Sequence, residues 1–185
     1  MEVAIDTSSL MALVRYYLPF DRDDSLKNFF KRKVEIKEIV IIDKVAIESK
    51  RNAKGIIVKN LEFLEDKKNQ INTDILLPEA SFLRDIENRL CYVSRKNTLT
   101  ETEFENRKQA FLEDADAKLI LFCLSTKGGL DLDKFMLVTE ETRTDNDGKP
   151  FKKLPEMCDL LNIEHCSLPA LLEKYYNIQL SKFLK

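Results

Sequence analysis

The chain has 185 residues but only one histidine, four glycines and four cysteines, and each scarcity excludes a chemistry. His165 lies in Asn162-Ile163-Glu164-His165-Cys166, a run that reads as a short strand. With no second imidazole, schemes in which histidine activates serine or cysteine have little to stand on. Four glycines supply neither a GxxxxGK[ST] nor a GxGxxG phosphate-binding loop. Cys91, Cys123, Cys158 and Cys166 form no CxxC pair, so buried reduced thiols are expected rather than a zinc site or a disulfide framework. No apolar run approaches the ~20 residues that a membrane-spanning helix needs. The N-terminus lacks a basic segment followed by an apolar core, so the reading predicts a cytoplasmic protein without a leader. A net charge of −2 draws no polyanion by itself, and any such attraction has to come from a local basic patch.

What is present is an ordinary globular composition, 44% hydrophobic and 34% charged, over a length that suits one domain spanning 1–185. The chain opens on Val3-Ala4-Ile5-Asp6-Thr7-Ser8-Ser9-Leu10, an apolar run that stops on a carboxylate. That pattern predicts a buried strand presenting Asp6 at its C-terminal end, then a helix capped by Thr7 or Ser8. Sites in open α/β sheets gather at those strand ends. Ser9 to Leu18 carries Leu10, Leu13, Val14 and Tyr17 at helical spacing up to Pro19. Asp23, Asp24 and Ser25 offer caps for a second helix, whose Lys31-Arg32-Lys33 tail suits a helix C-terminus.

Ile39-Val40-Ile41-Ile42 is a short β-branched run typical of a central parallel strand. Asp43 is then expected to cap a helix that carries Glu48 within its first two turns. Residues 55–112 read as helical, with no strand. One helix is expected through Ile57, Leu61 and Leu64, and another through Phe82, Ile86, Leu90 and Val93. Thr100 with Glu103 forms a capping-box pattern. A well-marked helix follows over Glu113 to Leu124, acidic in its first turn and ended by Gly128-Gly129. Phe135 to Thr139 predicts a third strand leading into Glu140-Glu141, followed by a polar loop over 142–153. Pro155 opens a helix, Ile163 to Ser167 forms a fourth strand, and Leu168 to Tyr176 a last helix.

Acids therefore stand at strand ends and helix starts in Asp6, Glu48, Asp116 and Glu141. Each has a bland role available, from dipole complement to surface ion pair. Together at one sheet edge they repel one another unless a cation holds them. The matching cation is Mg²⁺ or Mn²⁺, which prefers hard oxygen ligands, can activate a water and can stabilise charge on a phosphodiester.

In these segments the chain resembles the PIN-domain family of metal-dependent nucleases. The resemblance rests on Ala4-Ile5-Asp6-Thr7-Ser8-Ser9-Leu10, on Val40 to Glu48, on Ala115-Asp116-Ala117-Lys118-Leu119-Ile120 and on Met136-Leu137-Val138-Thr139-Glu140-Glu141, in that order. It implies a three-layer α/β/α sandwich around a parallel sheet of four or five strands, with an acidic pocket for Mg²⁺ or Mn²⁺. Asp6, Glu48, Asp116 and Glu141 match the four family carboxylates, with Asp6, Asp116 and Glu141 as metal ligands. Ser8 and Thr139 match supporting hydroxyls, while Asp114 and Glu140 compete with their neighbours Asp116 and Glu141.

The activity implied is hydrolysis of RNA phosphodiesters by an endoribonuclease. Lys50, Arg51, Lys54 and Arg143, close in sequence to the acids, are the expected RNA contacts. Family habit adds a toxin–antitoxin module, a small antitoxin partner and a homodimer. The rival expectation is a PIN-fold interaction module without activity. An aspartate-nucleophile phosphatase ranks lower, because Ser8 stands where that class places its second aspartate.

Overall fold

Val3, Ala4 and Ile5 have no solvent exposure at all, because their strand lies in the middle of the sheet. The computed structural model describes residues 2–127, 135–143 and 148–183. Strand β1 (Glu2–Ile5) is flanked by β2 (Ile39–Ile42) on one side and β4 (Phe135–Val138) on the other. With β3 (Gln70–Ile71) and β5 (His165–Cys166) at the edges, the order is β3-β2-β1-β4-β5 and every pairing is parallel. Parallel strands need crossovers, and helices supply them on both faces as a three-layer α/β/α sandwich.

The first helix, α1 (Thr7–Ala12), continues through wider turns to Tyr17 and a final 3₁₀ turn at Leu18–Phe20. After it come α2 (Ser25–Glu35), α3 (Asp43–Arg51) and α4 (Ile56–Asn60). The middle of the chain contributes α5 (Ala80–Asn88), α6 (Val93–Lys96), α7 (Glu101–Glu113) and α8 (Ala115–Lys127). The last part adds α9 (Leu154–Leu161), α10 (Leu168–Ala170) and α11 (Leu180–Phe183). Helix α2 packs on β2, while α8 packs across β2 and β4. The apolar stretch of α8 is accordingly buried, with Ala117, Leu119 and Ile120 fully enclosed. Among the described residues no helix is long and apolar enough to cross a membrane.

Several local expectations give way. The cap of α1 is Asp6 itself, whose carboxylate accepts from the Thr7 and Ser8 backbone N–H groups. Asp23 and Asp24 do not cap α2 by their side chains; both adopt left-handed backbone. Asp21 does the work instead, accepting from Leu26 N and Lys27 N at 3.0 Å each. The single helix expected through Ile57, Leu61 and Leu64 breaks after Asn60 into a 3₁₀ turn at Glu62–Glu65. Val93 starts the separate short α6 rather than extending α5, and it is exposed.

The helical middle also contains β3. Asp43 explains its position, since one carboxylate oxygen takes the Lys44 N–H at 2.9 Å and the Thr73 hydroxyl at 2.5 Å. It ties the chain just after β3 to the start of α3. The Thr100–Glu103 capping box forms as expected. Gly128-Gly129, expected to end α8, lie outside the described residues.

Candidate functional site

Strand order reverses at β1, whose connections leave toward β2 on one side and whose other neighbour, β4, arrives from far along the chain. In open α/β sheets a ligand crevice forms outside the carboxyl ends of the strands at such a switch point. The register sets what lies there. Ile5 pairs with Val138, so Asp6 and Thr139 are the next residues out of the sheet, side by side. Asp6 N donates to Val138 O at 2.9 Å and fixes that level.

Asp6 is 4% exposed and accepts four hydrogen bonds. Its Oδ1 takes Thr7 N at 2.6 Å, while Oδ2 takes Ser8 N at 3.2 Å, Ser8 Oγ at 2.5 Å and Thr139 Oγ1 at 3.1 Å. Ser8 Oγ in turn accepts Glu140 N at 2.9 Å, and Thr139 Oγ1 accepts Glu141 N at 3.1 Å. The two hydroxyls thus join the turn after β4 to the start of α1. Their separation of 3.2 Å closes the set.

Glu48 arrives from α3, and its Oε2 accepts the Thr7 hydroxyl at 2.7 Å across 41 positions of sequence. Asn52, one turn on, donates to Oε1 at 3.2 Å. Asp116, in the first turn of α8, is partly buried. Glu141 is held by Leu154 N at 3.2 Å, with Lys153 Nζ at 3.7 Å from its other oxygen.

These acids act on one another. Burial pushes the Asp6 carboxyl up from 3.8 to about 6, the Ser8 hydroxyl draws it back, and repulsion from Glu141 and Glu48 raises it again. Asp116 is raised well above the ordinary range, first by burial and then by Asp6, Glu141 and Glu48. Lys149 is the cation that opposes this shift. The acids therefore form one electrostatic group drawn from four separate segments of the chain.

The competing acids separate here. Glu140 turns away to take the N–H of Leu168 at 2.5 Å, while Glu141 faces the group. Asp114 ends α7 and is exposed, though it too lines the cleft beside Glu48 and Asp116. The expected RNA contacts divide as well. Arg51 lines that cleft, which encloses about 350 Å³. Lys50 instead pairs with Glu65 at 3.2 Å in a neighbouring hollow. Arg143 pairs with Asp159 on α9 at 2.7 Å, and Lys54 is exposed in left-handed backbone after α3.

Sequence reading missed Lys149, Lys153, Thr7 and Asn52. Asn52 stands four residues after Glu48 on the α3 register, which is a signal that spacing could have given.

The donor set suits a hard divalent cation, being carboxylates and hydroxyls throughout. Asp6 Oδ2 is already saturated by three donors, so its open acceptor capacity lies on Oδ1. Among the described residues no three His, Cys, Asp or Glu side chains close to coordinating distance. No curated protein matches the chain. A family model described as a domain of unknown function, DUF4411, matches residues 3–176. That match covers nearly the whole chain, including all four carboxylate segments, and the protein belongs to the DUF4411 family.

Proposed function

We propose that this protein is a Mg²⁺- or Mn²⁺-dependent endoribonuclease. The observation that carries the reading is the gathering of Glu48 and Glu141 around Asp6 and Asp116 at the sheet's switch point, where their charges raise both aspartates. Carboxylates whose protonation is raised by burial and by neighbouring acids, as in Asp6 and Asp116, are costly to keep without a counter-charge, and that cost persists at functional sites. The resemblance of these segments to PIN-domain nucleases points the same way.

In this reading Asp6, Asp116 and Glu141 hold the cation. When bound, the cation supplies Lewis-acid stabilisation of a phosphodiester oxygen and a more acidic water. The chain's own residues perform the rest. Ser8 and Thr139 fix the Asp6 carboxylate by hydroxyl donation to Oδ2, so that Oδ1 keeps only the Thr7 N–H as donor. Glu48, anchored by Thr7 and Asn52, is the acceptor placed to orient the attacking water and take its proton. Asp116 lies beside Glu48 in the open cleft, where a phosphate can enter.

The test is cleavage of a mixed-sequence RNA by the unaltered protein and by Asp6→Asn, with Mg²⁺ or Mn²⁺ and then with chelator. Cleavage that is lost in the variant and in chelator is the expected result. Undiminished, chelator-resistant cleavage by Asp6→Asn would overturn the reading.

A further inference from the structure

Asp116 lies between two clefts of different character. The larger, about 350 Å³, runs past Glu48 toward α3, and there carboxylates outnumber cations. The smaller, about 150 Å³, lies between α7 and residues 149–153. Asp114, Asp116 and Lys149 line both, so the two meet at the acidic group. In the smaller cleft the balance is reversed, with Arg107, Lys149, Lys152 and Lys153 against Asp114 and Asp116.

Its apolar wall is Phe111 and Phe151, stacked with centroids 4.4 Å apart and planes at 22°. Lys152 is bound to Glu156, and Lys153 leans toward Glu141. The exposed cations of this cleft are Arg107 and Lys149. A volume of about 150 Å³ is half of what a small-molecule site starts at, roughly 300 Å³. That leaves room for a phosphate group and not for a whole nucleotide.

We infer that the smaller cleft is a phosphate subsite, taking a backbone phosphate of the strand that flanks the phosphodiester at Asp116. Lys149 and Arg107 meet that phosphate, and Phe111 and Phe151, both buried, form the floor beneath them. This assignment rests on the nuclease reading and deepens it. Phosphate contacts carry no sequence information, so the subsite accepts any base. Attraction between the chain and its polyanionic substrate is thereby local, on one side of the acids, despite the overall charge of −2.

Binding tests this apart from catalysis. Fluorescence anisotropy follows a labelled single-stranded oligoribonucleotide on the Asp6→Asn protein in Mg²⁺ across a salt series. Adding Arg107→Ala or Lys149→Ala should weaken binding about tenfold and flatten the salt dependence by about one counterion each. Lys149→Arg should keep the slope. Lys59→Ala, which removes an exposed charge from α4, should change neither. Slopes and affinities of Arg107→Ala and Lys149→Ala equal to those of Lys59→Ala overturn the subsite, and absence of RNA binding overturns it too. Metal-dependent cleavage by the unaltered protein leaves the nuclease reading standing in either case. The expected binding pattern without any cleavage supports the subsite as a single-strand site and overturns the nuclease reading.

Discussion

The Thr139 hydroxyl donates to the Asp6 carboxylate at 3.1 Å across 133 positions of sequence. Ser8, two residues from Asp6, donates to the same oxygen and accepts the Glu140 N–H. Removing either hydroxyl strips one donor from Asp6 and leaves one backbone N–H without its acceptor. Ser8→Ala and Thr139→Val should each cost about 1–3 kcal/mol of stability. Cleavage should fall about 10–100-fold, the range for groups that orient a metal ligand. Thr139→Ser should restore both. Unchanged melting of both variants would show that the hydroxyls carry no such load.

The raised Asp6 carboxyl makes a prediction about pH. Its folded value of about 6 exceeds the ordinary 3.8, so between these values the folded chain holds more protons than the unfolded one. Stability from this group is therefore fully present below about pH 4 and is lost as pH rises toward 6, by up to about 3 kcal/mol. Denaturant melts across that window should show a steeper decline for the unaltered protein than for Asp6→Asn. Equal slopes would contradict the assignment.

Divalent cation should reverse that loss at neutral pH. Mg²⁺ or Mn²⁺ at a hundredfold excess over its dissociation constant would add about 2.7 kcal/mol. For a chain of this size, that is a rise of roughly 5–10 °C in Tm. The shift should vanish in Asp116→Asn. A shift of the same size in that variant would place the cation elsewhere.

Arg51 and Lys50 are adjacent in sequence but face different hollows. Arg51→Ala should raise KM and flatten the salt dependence of RNA cleavage by about one counterion, with kcat little changed. Lys50→Ala should leave both alone, because its charge is engaged by Glu65. Steady-state kinetics at two ionic strengths separate them.

Thr100→Ala offers a purely structural control. It removes the capping box of α7 and should cost about 1 kcal/mol. Cleavage per folded molecule should stay the same.

The sequence made the central strands legible because Val3–Ile5 and Ile39–Ile42 are unbroken apolar runs too short for buried helices. It made Asp6 and Glu141 legible because they follow such runs, Asp116 because it opens a strongly apolar helix, and Glu48 because it lies within two turns of the end of β2. It did not reveal β3, whose two residues are only partly buried and whose position depends on Asp43 reaching Thr73, thirty residues away. Capping was misjudged for a related reason. Asp6 and Asp21 outcompete the small hydroxyl and acidic residues nearer each helix, and only the backbone path shows which carboxylate reaches the open N–H groups. Lys149 was hidden because its relevance comes from where residues 149–153 lie against α7.

The place of β1 has a consequence for the order of synthesis. Of the five strands described, β1 is made before either neighbour that it needs, and β4 is the later of the two to be made. Until Val138 and Thr139 emerge, the Asp6 N–H lacks its carbonyl and the Asp6 carboxylate lacks one of its hydroxyls. On the nuclease reading, the cutting edge is therefore assembled only once β4 has been made, long after the strand that carries Asp6.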